Sequence, residues 1–125
     1  VATYREGKTV NLWNMTMLDG VLASFAYGRT GLKNAARWLG PNSANPGLAY
    51  VDTEANGYGL ARFSANRLEV NMVTVGDIRN PTDTPPAITR VARFEVPLWT
   101  KDTAPALAGP EFDGGAPFPF DPPTV

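Results

Sequence analysis

The sequence predicts an α+β fold with two N-terminal helices, antiparallel strands that form part of a larger sandwich, and an extended, proline-rich C-terminal arm. Three observations predict it. Apolar residues recur at helical spacing before residue 40, they alternate between residues 58 and 96, and seven of the 12 prolines lie at or after Pro97. We therefore expect an N-terminal strand and helix pair over 1–44, an antiparallel β unit over 45–97 and an arm over 98–125, together forming one part of a larger domain.

The first segment combines a short strand with a helix. The residues KTVNLW alternate enough to predict a strand before Trp13. Thr16 and Asp19 resemble a capping box, Gly20 costs the helix about 1 kcal/mol relative to Ala, and Gly28 is a natural stop. The residues at helical spacing, which we expect to face the core, are Met15, Leu18, Leu22, Phe25 and Ala26.

A second helix is predicted over residues 31–39. Thr30 would cap it, and Gly40-Pro41 would end it. Its expected inward residues are Leu32, Ala35, Ala36 and Leu39.

The middle of the chain predicts a hairpin and a third strand. Alternation over 58–63 and 68–75 flanks a tight turn at 64–66, and Leu68, Val70 and Met72 share one face. A third strand is predicted over 88–96. Three strands that share a face with a helix pair would form an adequate core.

The C-terminal arm is too rich in proline for a helix or an interior strand, yet it carries Trp99, Phe112, Phe118 and Phe120. Disordered tails are usually poor in aromatic residues. We therefore expect the arm to lie extended over a surface, supplied by its own domain or by a partner.

Composition excludes several classes of function. The 11 basic and 12 acidic residues leave no basic excess for nucleic acid, and no apolar run approaches the ~20 residues of a membrane span. The chain has neither Cys nor His, which excludes thiolate or imidazole zinc sites and a Ser-His-Asp triad within it. Only oxygen ligands remain, and these suit calcium or magnesium. We assign no metal-binding residue and no catalytic residue in this chain. Because the chain starts at Val1 and only 18% of its residues are charged, we expect a removed leader or a fragment covered by another polypeptide.

Several polar groups have both a functional and an ordinary interpretation. Asp52 and Glu54 stand two residues apart and could bind calcium or share acid–base work, although a solvated loop before a strand is the favoured explanation. The loop GPNSANPG places Asn42, Ser43 and Asn45 where they could reach an anion or a sugar, or simply satisfy turn backbone. We expect Asp19 to be a cap in place of a catalyst, and the serines have no histidine to activate them: Ser24, Ser43 and Ser64. Four arginines could contact phosphate or be ordinary surface residues: Arg29, Arg37, Arg62 and Arg67. Four aromatic residues could form a ligand wall or belong to the core or a contact surface: Trp13, Tyr27, Trp38 and Trp99.

About half of the chain resembles the C-terminal part of alkaline phosphatase D-like (PhoD-like) metallophosphoesterases. In that family an Asn-Pro-x-hydrophobic-x-aromatic segment leads into a Gly-Tyr strand, a second strand, a proline-bearing loop and a third strand. The matching elements here are Asn45-Pro46, Leu48, Tyr50, Gly57-Tyr58, Leu68 to Val75, and Ala92 to Val96. Residues 13–28 and 109–123 match the common family pattern poorly.

The resemblance implies a periplasmic or secreted phosphatase or phosphodiesterase that hydrolyses phosphate esters with metals, iron and calcium in some members. Its Asp, Asn and His ligands would lie on a missing N-terminal portion, so this chain would bind no cofactor and would not be catalytic alone. The N-terminal portion of the same enzyme, present as a second chain, would be the partner of this chain. Asn42 and Asn45 would lie at the rim of the substrate pocket.

Two other hypotheses remain open. The chain could be an independent β-rich module that binds a carbohydrate or protein through its Trp and Asn residues, or a non-catalytic packing module in an assembly. An isolated fragment should fold poorly or aggregate, whereas an independent module should unfold cooperatively as a monomer.

Overall fold

The predicted α+β class is confirmed by three helices that precede a four-stranded antiparallel sheet. The computed structural model describes residues 2–5, 8–39, 44–79 and 83–121, with side chains from Leu12 onward. The chain divides into a helical unit, Val1–Thr53 with Pro117–Val125, and a sheet unit, Glu54–Ala116.

The helical unit begins with a two-stranded hairpin of β1 (Ala2–Arg5) and β2 (Lys8–Asn11). The sequence predicts β2 but not β1. Three short helices follow, α1 (Trp13–Asp19), α2 (Val21–Thr30) and α3 (Lys33–Leu39).

The prediction of one helix between residues 13 and 28 is wrong, because Gly20 divides it. Gly20 has φ 96° and ψ 173°, so it ends α1 and precedes α2. A side chain at this φ would be strained, whereas glycine adopts it readily. The second part also continues past Gly28 and stops at Gly31. The break changes the direction of the chain, so helical spacing cannot be continued across it.

The core of the helical unit is small, and half of the expected inward face points outward. Met15, Leu18 and Ala36 are buried as predicted. Leu22 and Phe25 are exposed, contrary to the prediction, and Ala23 and Ser24 are buried in their place. The predicted inward residues Leu32 and Leu39 of the second helix are exposed as well.

The predicted capping residues have other roles. Thr16 lies inside α1, where its Oγ1 donates to the Leu12 carbonyl at 2.9 Å. Asp19 is buried and accepts a hydrogen bond from Arg37 Nε at 2.9 Å, which ties α1 to α3. Thr30 is the last residue of α2, where its Oγ1 donates to the Ala26 carbonyl at 2.8 Å and accepts from Leu32 N, just before α3, at 3.2 Å.

The sheet unit is an antiparallel meander in the order β3-β4-β5-β6. Its strands are β3 (Asn56–Phe63), β4 (Arg67–Val75), β5 (Ile88–Pro97) and β6 (Ala108–Asp113). The predicted hairpin and third strand are therefore confirmed. At the tight turn, Ser64 N donates to the Arg67 carbonyl at 3.0 Å, while Ser64 Oγ accepts from Arg67 N at 3.1 Å.

The fourth strand, β6, lies within the segment expected to be an extended arm. It pairs with one side of β5 and forms the edge of the sheet, the position in which Pro110 does not interrupt a ladder. The proline count therefore correctly excludes an interior strand, but it does not reveal an edge strand.

The register gives the sheet one largely apolar face and one face that carries most of its charges, because residues directly opposite one another share a face. The apolar face carries Phe63, Leu68, Val70, Met72, Ala92, Phe94, Val96 and Phe112. The other face, which we call the charged face, carries Arg62, Arg67, Glu69, Asn71, Arg93, Glu95, Glu111 and Asp113, together with Tyr58, Leu60, Val73 and Val91.

Candidate functional site

Of the two residues expected at a pocket rim, Asn45 is described and Asn42 lies outside the described residues. Asn45 is exposed, and its Nδ2 donates to the Met17 carbonyl at 2.7 Å. Its own carbonyl accepts from Leu48 N at 2.9 Å. With Pro46 and Gly47 these residues line a shallow depression of about 400 Å³. Asn45 thus ties this turn to the end of α1, and the depression offers no charged side chain to a phosphate.

Asn14 forms a buried hydrogen-bonded connection that no local sequence pattern predicts. Its Oδ1 accepts from both Thr53 N and Thr53 Oγ1 at 3.0 Å, and its Nδ2 donates to the Phe118 carbonyl at 2.7 Å. Asn14 is only 3% exposed. One side chain of α1 therefore holds both the 44–53 segment and the C-terminal segment of the helical unit.

Lys33 holds the same C-terminal segment from α3. Its Nζ donates to the carbonyls of Pro119 and Asp121 at 3.0 and 2.9 Å, and to Asp121 Oδ1 at 2.9 Å. Its ammonium also lies 5.6 Å from the centre of the Phe118 ring. All three hydrogen atoms of the ammonium have an acceptor nearby, so its role is structural.

Two ring contacts complete this arrangement. Tyr27 of α2 packs against Phe118 with ring centres 4.8 Å apart, and Tyr50 packs against Phe120 at 5.2 Å. The aromatic residues of the C-terminal segment thus lie on the chain's own helical unit. We call Asn14, Lys33, Tyr27 and Tyr50, with the segment 117–121 they contact, the C-terminal clasp.

Within the described part of the chain, the candidate carboxylates Asp52 and Glu54 belong to no group of three acidic side chains that could hold a metal. The described candidate serines have structural contacts. Ser24 is buried between α1 and α2, where its Oγ lies 2.7 Å from Thr16 Oγ1. Ser64 closes the β3–β4 turn, and Ser43 lies outside the described residues.

The candidate phosphate-binding arginines have different surroundings. Arg29 lies over the Phe25 ring at 5.1 Å, and Arg37 pairs with Asp19. Arg67 contacts Glu69 at 2.8 Å and Glu95 at 3.4 Å. Among the described residues, Arg62 has no ion pair. Arg37 and Arg67 are therefore already paired with carboxylates.

The charged face of the sheet bounds a broad open depression of about 700 Å³. Leu60, Arg62, Glu69, Asn71, Arg93 and Glu111 are among the residues that line it. Its charged lining groups are two arginines, Arg62 and Arg93, and three carboxylates, Glu69, Glu95 and Glu111, so it has no basic excess that would attract a phosphate.

A local ion pair between Asp77 and Arg79 shifts the pKa values of both groups. Arg79 Nε donates to Asp77 Oδ1 at 2.8 Å, and the Arg79 backbone N–H donates to the same oxygen at 2.9 Å. The side-chain bond first, and the backbone bond second, lower the pKa of Asp77 below its ordinary value. Both groups are fully exposed, so the shift belongs to a surface turn.

Large apolar side chains are exposed along α2 and α3. On α2, Val21, Leu22 and Phe25 form a stripe and are 71%, 63% and 60% exposed. On α3, Trp38 is 81% exposed. We call Val21, Leu22 and Phe25 the α2 stripe. Contiguous exposed apolar residues usually mark an interaction surface in a soluble protein.

The four aromatic residues proposed as a ligand wall do not share one role. Tyr27 belongs to the C-terminal clasp, and Trp38 projects from α3. Trp13 and Trp99, each about half exposed, lie in the helical and sheet units, respectively.

The residues described here do not fit an iron or calcium centre. The sequence has no His or Cys, and the described part of the chain contains no group of three acidic side chains placed to hold a metal. We therefore derive no catalytic step from this chain.

Comparisons with protein-family models, with curated proteins and with solved structures find no match. Within the described ranges, none of the helices is long and apolar enough to cross a membrane.

Proposed function

We propose that this chain is the C-terminal portion of a metal-dependent phosphatase or phosphodiesterase of the alkaline phosphatase D type. It would supply the last strands of a sheet and the packing elements around it. The ligands of the iron and calcium ions would come from the N-terminal portion, and the enzyme would act on phosphate esters in the periplasm or outside the cell.

The observation that carries this proposal is the arrangement of the segments in which the resemblance lies. Gly57-Tyr58, Leu68 to Val75 and Ala92 to Val96 belong to β3, β4 and β5, which are neighbours in one antiparallel sheet. A resemblance scattered over unrelated elements would carry less weight, because adjacent strands with a shared register form one folding unit.

The exposed apolar surface supports the idea that a second polypeptide segment completes the fold. The α2 stripe and Trp38 lie on the helical unit, and Phe63 on β3 is 79% exposed. Burying such side chains contributes roughly 1.5–3 kcal/mol each. A partner that covered them would therefore contribute substantially to stability.

Hydrolysis by a longer protein that contains this sequence tests the proposed activity. We expect that protein to hydrolyse bis(p-nitrophenyl) phosphate or p-nitrophenyl phosphate and to lose this activity when a chelator removes its metals. The isolated 125-residue chain should be inactive under the same conditions. A longer protein that hydrolyses neither compound after supply of calcium and iron would refute the proposed activity.

A surface variant tests whether the α2 stripe is covered in the complete protein. Val21→Ser with Phe25→Ser should make the isolated chain less prone to aggregate, while it lowers the thermal midpoint of the longer protein. Asn34→Ser, a polar change at an exposed position of α3, is the matched control and should change neither property. Equal effects of the two variants on the longer protein would argue that the stripe stays in solvent.

A second candidate function is a non-catalytic β-rich binding or assembly module. The depression on the charged face favours it, since its volume is in the range of ligand pockets. Under this hypothesis, the isolated chain would be a stable monomer that unfolds in a single cooperative transition.

A further inference from the structure

The outer edge of β3 presents a row of backbone groups that no described strand pairs. The β3–β4 register runs without a shift from Asn56 opposite Val75 to Phe63 opposite Leu68. Ser64 N donates to the Arg67 carbonyl, so this pair is hydrogen-bonded. Bonded and non-bonded pairs alternate along an antiparallel ladder, and the next bonded pair is therefore Arg62 with Glu69.

This alternation identifies the residues of β3 whose backbone N–H and C=O groups point away from the sheet. Tyr58, Leu60 and Arg62 direct their N–H and C=O groups toward β4. Gly57, Gly59, Ala61 and Phe63 direct theirs away from the sheet. Every residue of β3 is exposed.

The two edges of the sheet differ in how they are protected. β6 has six residues, contains Pro110, which has no N–H, and pairs with β5 through an irregular register. β3 has eight residues, with no proline, lysine or register shift. Sheets usually blunt their free edges with such features, because an open edge recruits other strands. The β3 edge is therefore the one suited to receive another strand.

The side chains along β3 define what that strand should carry. Gly59 and Ala61 carry no large side chain on the apolar face, so bulky apolar residues of a neighbouring strand would cover it there, whereas a Cβ at Gly57 would clash with the Val73 carbonyl oxygen. On the charged face, Arg67 and Arg93 pair with Glu69 and Asp113, whereas Arg62 has no ion pair within the described ranges. An acidic residue opposite Arg62 would complete the pattern.

We propose that the β3 edge binds a strand from the preceding part of the same enzyme, so that the sheet continues beyond four strands. This inference rests on the proposed function, which supplies the preceding part. The strand would have bulky apolar residues on one face and an acidic residue opposite Arg62.

Hydrogen exchange resolved to single amides tests the inference in the longer protein. The amides of Tyr58, Leu60 and Arg62 are the internal control and should be protected. The amides of Gly57, Gly59, Ala61 and Phe63 should exchange at least about tenfold more slowly than the same amides in an unstructured peptide. Exchange of these four amides at the rate of the unstructured peptide would overturn the proposal, and so would protection that rises with protein concentration.

A pair of variants in the longer protein examines the same edge. Ala61→Pro removes one outward N–H without removing a bond to β4, whereas Ala61→Ser keeps it. We expect Ala61→Pro to speed exchange at Gly59 and Phe63 while the Leu60 amide stays protected, and we expect Ala61→Ser to change neither. Unchanged exchange at Gly59 and Phe63 in the proline variant would contradict strand pairing.

The activity assay separates this inference from the proposed function. A longer protein that is inactive but has slow outward amides would refute the phosphoesterase and leave strand pairing intact. An active protein with freely exchanging outward amides would refute strand pairing alone. A native product that consists only of the 125-residue chain would overturn both.

Discussion

Replacing Asn14 by Ala should loosen two separate segments of the helical unit by different amounts. The substitution removes two hydrogen bonds to Thr53 and one to the Phe118 carbonyl. A typical hydrogen bond contributes about 1 kcal/mol, so the 44–53 segment should lose about 2 kcal/mol and the C-terminal segment about 1 kcal/mol. These losses correspond to increases of roughly 30-fold and 5-fold in the equilibrium constants for local opening of the two segments.

Hydrogen exchange by mass spectrometry measures both openings in one experiment. Peptides that cover 48–53 and 117–121 should exchange faster in Asn14→Ala, and the former should change more. Thr53→Val is the matched control: it removes the Oγ1 bond, keeps the N–H bond and should cost about 1 kcal/mol in the 48–53 peptide only. Equal effects of the two variants on both peptides would refute the assignment of Asn14 as the connection between the segments.

Three further predictions concern other contacts. Lys33→Met keeps an apolar stem near Phe118 but removes the three hydrogen bonds of Nζ. Hydrogen exchange in the 117–121 peptide should therefore accelerate, while exchange in the 48–53 peptide stays unchanged. Acceleration in both peptides would contradict the assignment of Lys33 to the C-terminal segment alone. Gly109→Ala should disrupt β5–β6 pairing, because φ is +104° and a Cβ would clash with the Arg93 carbonyl oxygen, whereas Gly115→Ala meets no atom within 4 Å and should lower the thermal midpoint far less. In an NMR titration the carboxyl of Asp77 should show a pKa below its ordinary value, and Arg79→Ala should raise it; an unshifted pKa would contradict the ion pair. Because the pKa is lowered in the folded state, any stabilisation is present above about pH 4 and is lost as the pH falls from there through the folded pKa.

The elements that the sequence predicted well are those whose pattern is local. Leu68, Val70 and Met72 alternate with polar residues, and the turn at Ser64 joins two such runs, so the β3–β4 hairpin follows from neighbouring residues. The helices were predicted less well, because Gly20 can either sit inside a helix at a modest cost or turn the chain. Its φ of 96° turns the chain, and Leu22 and Phe25 consequently point to solvent.

The C-terminal clasp could not be predicted from the sequence. Asn14 and Phe118 are 104 residues apart, and Lys33 and Asp121 are 88 residues apart. No local pattern marks a buried Asn or a Lys as the partner of a distant carbonyl. The aromatic content of the arm did indicate that it lies on a surface, and Tyr27 and Tyr50 supply part of that surface.

For the candidate site, too, the sequence indicates local features but not those that depend on the arrangement of distant residues. The resemblance in residues 45–97 led to a proposed enzyme and to Asn45 at a pocket rim, yet Asn45 in this chain secures a turn against α1. The open edge of β3 could be recognised only once the register and the order of the strands were known, because the sequence does not state which strand lies at an edge.

The native mass of the material that carries this sequence tests the central claim most directly. We predict that the chain occurs in its native source within a longer polypeptide, or tightly bound to a second chain that bears the metal ligands. A native mass equal to that of the 125-residue chain alone, with cooperative unfolding as a monomer, would contradict the account.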